Sequence, residues 1–133
     1  MDILPESCPS VLLETASGRV KLSMKNGQSA YKDVCLALSL GEYGPEVKLT
    51  AGETPVKRVF LTWDFPVPKE AKVYSDAWER GYGDLEWRGV VPERVMPWYT
   101  LIHHAGGTYG FGVKTGANAM CWWKLDGYSV TLC

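Results

Sequence analysis

The sequence predicts an all-β protein, an antiparallel β-sandwich, and three observations carry that expectation. Apolar and polar residues alternate with period two along much of the chain, the pattern of strands with one buried face. Helical spacing of apolar residues is scarce. Short turn signals, at Asn26-Gly27, Gly106-Gly107 and Asp126-Gly127, separate the alternating runs, as between short antiparallel strands.

The elements follow in chain order. "GRVKLSMKNG" sets Val20, Leu22 and Met24 against Arg19, Lys21 and Lys25, then turns at Asn26-Gly27. "DVCLALSLGEYG" alternates Val34, Leu36, Leu38 and Leu40 with Cys35, Ala37 and Ser39. "KRVFLTWDFPVP" puts Val59, Leu61, Trp63 and Phe65 on one side, and Pro66 and Pro68 end the strand because proline cannot donate to a ladder. "WYTLIHHAGGTYGFGVKTG" predicts a hairpin turning at Gly106-Gly107. "AMCWWKLDGYSVTLC" predicts another, with Asp126-Gly127 as a two-residue type I′ turn. That turn pairs Leu125 with Tyr128 and Trp123 with Val130. One face then holds Cys121, Trp123, Leu125, Tyr128, Val130 and Leu132, the other Trp122, Lys124, Ser129 and Thr131. Cys121 and Cys133 fall on opposite faces, against a disulfide between them.

"YSVTLC" closes the chain as a strand with no polar tail, so a truncation at the C-terminus is expected. The strand Ser129–Cys133 and the face bearing Met120 and Trp122 would then lack their cover. Uncovered edges recruit other chains, so self-association near this hairpin is expected.

A chain of 133 residues fits one domain, 1–133, and buries roughly two-thirds of its unfolded surface. Its net charge of −1, without a basic stripe, excludes a nucleic-acid footprint. The apolar runs are far short of a membrane span. "MDILPESCPSVLLE" has an early acid and an early proline where a secretory leader has a basic stretch and a long apolar run, so a cytoplasmic protein is expected. Cys8, Cys35, Cys121 and Cys133 form no CxxC pair; they read as reduced thiols used as small hydrophobes, not as a zinc site. No cofactor and no metal is expected.

Chemistry concentrates in "SDAWERGYGDLEWRG", residues 75 to 89. Trp78, Tyr82 and Trp87 stand there among Asp76, Glu79, Asp84, Glu86, Arg80 and Arg88, with glycines between them. Sugar rings offer C–H faces that stack on indole or phenol rings, and hydroxyls that suit carboxylate and guanidinium groups. Asp76, Trp78, Asp84, Glu86, Trp87 and Arg88 are therefore the candidate substrate-binding residues. The same composition also suits a loop whose tryptophans plug the end of a sandwich while its charges pair at the surface. Asp84 and Glu86 would lie about 7 Å apart on an extended segment, within the span glycosidases use. A single loop encloses too little space to tune a general acid, so no catalytic residue is expected. His103-His104 cannot grip one ion, because neighbours on a strand point to opposite faces. "GTYGFGVKTGAN" lacks the strand–loop–helix setting and GK[ST] ending of a phosphate loop, and reads as a glycine-rich strand.

"RVFLTWDFPVP", "DAWERGYGDLEWRG" and "PERVMPWYTLIHHAGGTYGFGVKTGANAMCWWKLDGYSVTL" together resemble the N-terminal β-sandwich region of bacterial α-galactosidases and related melibiase-type enzymes, the family 36 glycoside hydrolases. The resemblance covers about residues 56 to 133; residues 1 to 55 agree only in strand character. It implies a β-supersandwich that packs on a catalytic (β/α)₈ barrel, whose two aspartates carry out retaining hydrolysis. No barrel is present in this chain, so on this reading the chain alone is inactive. The resemblance further implies that Asp84 and Trp87 of "GDLEW" approach the galactose subsite, although the commoner family form is "GDW". The expected function is thus a non-catalytic domain that shapes the active-site rim and supports barrel or oligomer contacts, with weak affinity for a galactoside or other carbohydrate. A stand-alone carbohydrate-binding module and a purely structural interaction domain are the alternatives.

Overall fold

The computed structural model describes residues 8–42, 44–76, 86–114 and 119–133. Among them there is no helix; the fold is all-β, built of three antiparallel sheets. The chain groups into two compact units, Cys8–Leu61 and a second built on Thr62–Cys133.

In the unit Cys8–Leu61, β1 (Ser10–Thr15) and β2 (Gly18–Leu22) form a hairpin in which Val11 lies opposite Leu22 and Thr15 opposite Gly18. Val11, Leu13 and Leu22 are buried, as period-two alternation requires. A second sheet orders β3 (Gln28–Tyr31), β4 (Val34–Gly41) and β5 (Gly44–Ala51) side by side. The turn into β3 is the expected one. Asn26 and Gly27 have φ of 50° and 74°, the type I′ combination, while Lys25 and Gln28 exchange both main-chain hydrogen bonds. Gly27 has a second reason to lack a side chain: a Cβ there would lie 2.7 Å from the Leu38 carbonyl oxygen. The Asp33 carboxylate pins the loop after β5, accepting bonds from the Thr54 hydroxyl and from the amides of Glu53 and Thr54. Strand β6 (Val56–Asp64) begins in this unit.

In the unit Thr62–Cys133 two sheets face each other. One runs from the end of β6 through β12 (Ser129–Leu132) and β11 (Trp122–Leu125) to β8 (Met96–Pro97). The other orders β10 (Gly107–Gly112), β9 (Tyr99–His104) and β7 (Lys72–Ser75). Trp63, Met96, Trp123, Leu125 and Val130 of the first sheet are buried, as are Val73, Ile102 and Phe111 of the second. Aromatic contacts bind the layers, Phe111 lying 5.8 Å from Trp123 and 5.2 Å from Phe65, while within the first sheet Trp63 lies 6.4 Å from Trp123. The Trp123 indole N–H is satisfied by the Trp98 carbonyl at 3.3 Å. Trp98 has φ of 65°, a strained value for so large a residue. Its backbone is held there by a bond to the Cys121 carbonyl and another from the Val113 amide.

Three expectations are corrected here. Leu125 pairs with Val130 and Trp123 with Leu132, not with Tyr128 and Val130. The loop is Gly127-Tyr128, with a positive φ of 90° at its first residue, as in a type II′ turn. The physical reason is the Asp126 carboxylate. Its Oδ1 accepts from the amides of Tyr128 and Ser129 and from the Ser129 hydroxyl, fixing the turn from outside it. The register moves by two residues, so the faces survive, except that Tyr128 is now in the exposed loop. Cys121 and Cys133 are thiols, with no disulfide between them.

The β9–β10 loop is Ala105-Gly106, one residue earlier than expected; Gly107, with φ of 131°, already pairs with His104. His104 Nδ1 accepts the Gly106 amide and its ring stacks on Tyr109 at 5.2 Å, which holds the tighter loop. Finally, β12 is not an edge. It has β11 on one side and the end of β6 on the other, with the Thr62 and Thr131 hydroxyls 3.0 Å apart. The amides of Phe65 and Val67 continue the pairing to the carbonyls of Tyr128 and Gly127.

Candidate functional site

The outer face of the β10-β9-β7 sheet positions the candidate residues. Val73 and Ile102 point inward and are buried, so Tyr74, Leu101 and His103, alternating with them, point outward. Residues 86–88 run along the free side of β7. The Val73 amide donates to the Arg88 carbonyl at 2.6 Å, and the Arg88 amide returns the bond to Val73 at 2.9 Å. Antiparallel pairing at that point places Trp87 opposite Tyr74 on the outer face. Tyr74 is opposite Leu101, and Leu101 opposite Gly110. The row Trp87–Tyr74–Leu101–Gly110 thus crosses the sheet. Gly110 offers no side chain, and Leu101 leans into that space: a Cβ at 110 would lie 3.2 Å from Leu101 Cδ2.

Trp87 is 45% exposed and propped from beneath. Its ring lies 5.4 Å from Tyr74 in a tilted arrangement and 5.8 Å from His103 edge to face. His103 Nδ1 is itself tied to the Thr108 hydroxyl at 2.7 Å. Such contacts fix the indole plane while leaving about half of its surface to solvent. The residues on either side of it in the chain, Glu86 and Arg88, form an ion pair at 2.8 Å, both side chains about half exposed. Arg88 stands opposite the inward-pointing Val73, so alternation sets the pair on the other side of the segment from the indole. Arg94 adds a second guanidinium, of which Nη1 is enclosed with no hydrogen-bond partner among the described residues. Burial lowers the Arg94 pKa, the Arg88 charge lowers it further and the Glu86 carboxylate opposes both.

Of the six candidate residues, Glu86, Trp87 and Arg88 lie on this segment, and of these the pairing places Trp87 on the outer face, whereas Arg88 stands opposite the inward-pointing Val73. Asp76 follows β7 and is 8% exposed, beside the buried Ser75, so its carboxylate is withdrawn from solvent. Trp78 and Asp84 lie outside the described residues, as do Glu79, Arg80 and Tyr82. His103 and His104 point to opposite faces, as their adjacency dictates: one meets Trp87, the other Tyr109. Sequence reasoning missed the support beneath the indole, namely Tyr74, His103, Leu101 and Gly110, and also Arg94. The signal was the short alternation in "KVYS", whose outward Tyr74 matches the outward Leu101 and His103 of "TLIHH".

Among the described residues no group of three His, Cys, Asp or Glu side chains is placed to hold a metal ion, and no helix is long and apolar enough to cross a membrane. No protein-family model, curated protein or solved structure matches the chain.

Proposed function

We propose that this chain is the non-catalytic, sugar-facing β-sandwich region of an α-galactosidase-like glycoside hydrolase, and that Trp87 supplies the stacking surface for a galactoside. The observation that supports the reading is one indole, 45% exposed and braced by Tyr74 and His103. A pyranose can lay its C–H face on the indole, with the Tyr74 and His103 rings holding that surface in place. Because the ring plane is already fixed, little ordering is needed on binding. Hydrolysis is assigned to the barrel that the resemblance implies. Retaining or inverting chemistry requires two carboxylates at a fixed distance within an enclosed site, and the described segment 86–88 carries one, Glu86, half exposed.

The test is a fluorescence titration of the chain with methyl α-galactoside, run beside an assay with a chromogenic α-galactoside. Saturable binding near the millimolar range, about −4 kcal/mol, is expected, with no turnover. Trp87→Ala should remove the binding. Turnover abolished by Glu86→Gln would overturn the non-catalytic assignment. The stand-alone carbohydrate-binding module is the second reading, because Trp87 is open to solvent within this chain alone. Micromolar affinity without turnover would favour it.

A further inference from the structure

Strand β5 is the outer strand of its sheet, and all of Pro45–Ala51 is exposed. The apolar members of β5 are out of place for such a position: Val47 is 41% exposed and Leu49 38%, and neighbouring Leu40 on β4 is 86% exposed. Which backbone groups of β5 face outward follows from two hydrogen bonds. The Gly52 amide donates to the Asp33 carbonyl, so the pair 33–52 is a bonded pair of the β4–β5 ladder. By antiparallel alternation Cys35–Thr50, Ala37–Lys48 and Ser39–Glu46 are bonded too. Pro45, Val47, Leu49 and Ala51 therefore turn their main-chain groups away from β4. The Leu38 amide agrees, since Leu38 is paired with Val47 yet donates to Gly27 on its other side. Among the described residues no strand takes up the outward groups of β5.

We propose that β5 pairs with β5 of a second copy of this chain, antiparallel about a two-fold axis at Val47. The sequence of the strand is self-complementary in that register and in no neighbouring one. Val47 meets its own copy and exchanges both main-chain bonds with it, and Leu49 donates to the copy's Pro45 carbonyl. On the apolar face Val47 packs on Val47 and Leu49 on Pro45, extending the row that Leu38 and Leu40 begin. On the other face Glu46 stands opposite Lys48, twice by symmetry. The neighbouring hydrogen-bonding registers set either Lys48 or Glu46 against its own copy, and like charges directly opposite are destabilising. Proline and lysine on an outer strand bar promiscuous pairing. Here they leave one register open, and an isologous contact of this kind closes as a dimer instead of growing.

Sedimentation of the whole chain over a concentration series tests the pairing, with three variants at exposed positions that leave the core untouched. The wild type should show a monomer–dimer equilibrium that weakens as salt rises. Lys48→Glu turns two attractive contacts into two repulsive ones and should raise the dimer dissociation constant roughly tenfold. The double variant Glu46→Lys with Lys48→Glu restores opposite charges across the axis and should restore the dimer. Val47→Pro removes the central donor and should abolish it, with circular dichroism unchanged. A monomer at high concentration overturns the proposal. So does a dimer indifferent to the single charge reversal, or one that the double variant fails to rescue, because either result moves the contact to another surface.

Discussion

Trp63 and Trp87 belong to the same unit, and their surroundings assign them opposite duties. Trp63 is 4% exposed and packs on Trp123 inside the sandwich, whereas Trp87 lies half open on the outer sheet face. Trp63→Ala should cost about 3–5 kcal/mol through lost burial and an unfilled cavity. Trp87→Ala forfeits its two ring contacts and should cost about 1 kcal/mol. Urea unfolding of both variants checks this; equal losses would remove the case for an indole kept free for a ligand. Two aspartates give the molecule an acid-sensitive component. The Thr54 hydroxyl and amide, followed by the Glu53 amide, hold the Asp33 carboxyl below its ordinary pKa. For Asp126 burial works the other way, but the bonds from Tyr128 and Ser129 outweigh it, and its pKa is lowered too. A lowered folded pKa means stability that is complete above the unfolded value, about 3.9, and lost as pH falls through the folded one. The acid limb of stability should therefore flatten in Asp126→Ala, as followed by thermal melts between pH 5 and 2. An identical limb in that variant would show that the turn bonds do not discriminate between the two charge states.

At the scale of the element, the turn into β3 rests on one residue that no side chain can replace. Gly27→Ala would put a Cβ against the Leu38 carbonyl at a backbone angle that L-residues rarely adopt. A loss of about 1–3 kcal/mol is expected, measured by chemical denaturation; a neutral result would mean that the β3–β4 contact gives way cheaply. Strands β2, β4, β6, β9, β10, β11 and β12 were legible in the sequence because alternation records which face is buried; β1, β3, β5, β7 and β8 were not singled out, and the β4 row ends on Leu40, which is 86% exposed. Val34 and Leu36, Leu61 and Trp63, and Trp123 and Leu125 are all buried where the pattern put them. Loop positions were less legible. In the C-terminal hairpin Asp126-Gly127 matched a familiar two-residue signal, but the aspartate serves the turn through its side chain and the loop begins one residue later. Near β9 it was a histidine ring that moved the loop. Side-chain bonds to backbone leave no mark on a pattern of polar and apolar residues.

At the scale of the whole molecule, the candidate surface was half visible beforehand. Glu86, Trp87 and Arg88 stood out by composition alone. The braces beneath Trp87 come from β7 and β9, more than ten residues away on either side, and only the pairing of Val73 with Arg88 and Tyr74 with Leu101 brings them together. Asp76, grouped with Glu86, Trp87 and Arg88 by composition, is buried at the end of β7. The proposed function depends on the exposed indole being a sugar-binding surface. The most direct measurement follows the six tryptophan indole N–H resonances, assigned by substitution, while methyl α-galactoside is added. A saturable shift of Trp87, with Trp63 and Trp123 still and a midpoint at about millimolar concentration, is the expected result. A motionless Trp87 in a folded chain at about a hundred times that concentration would contradict it.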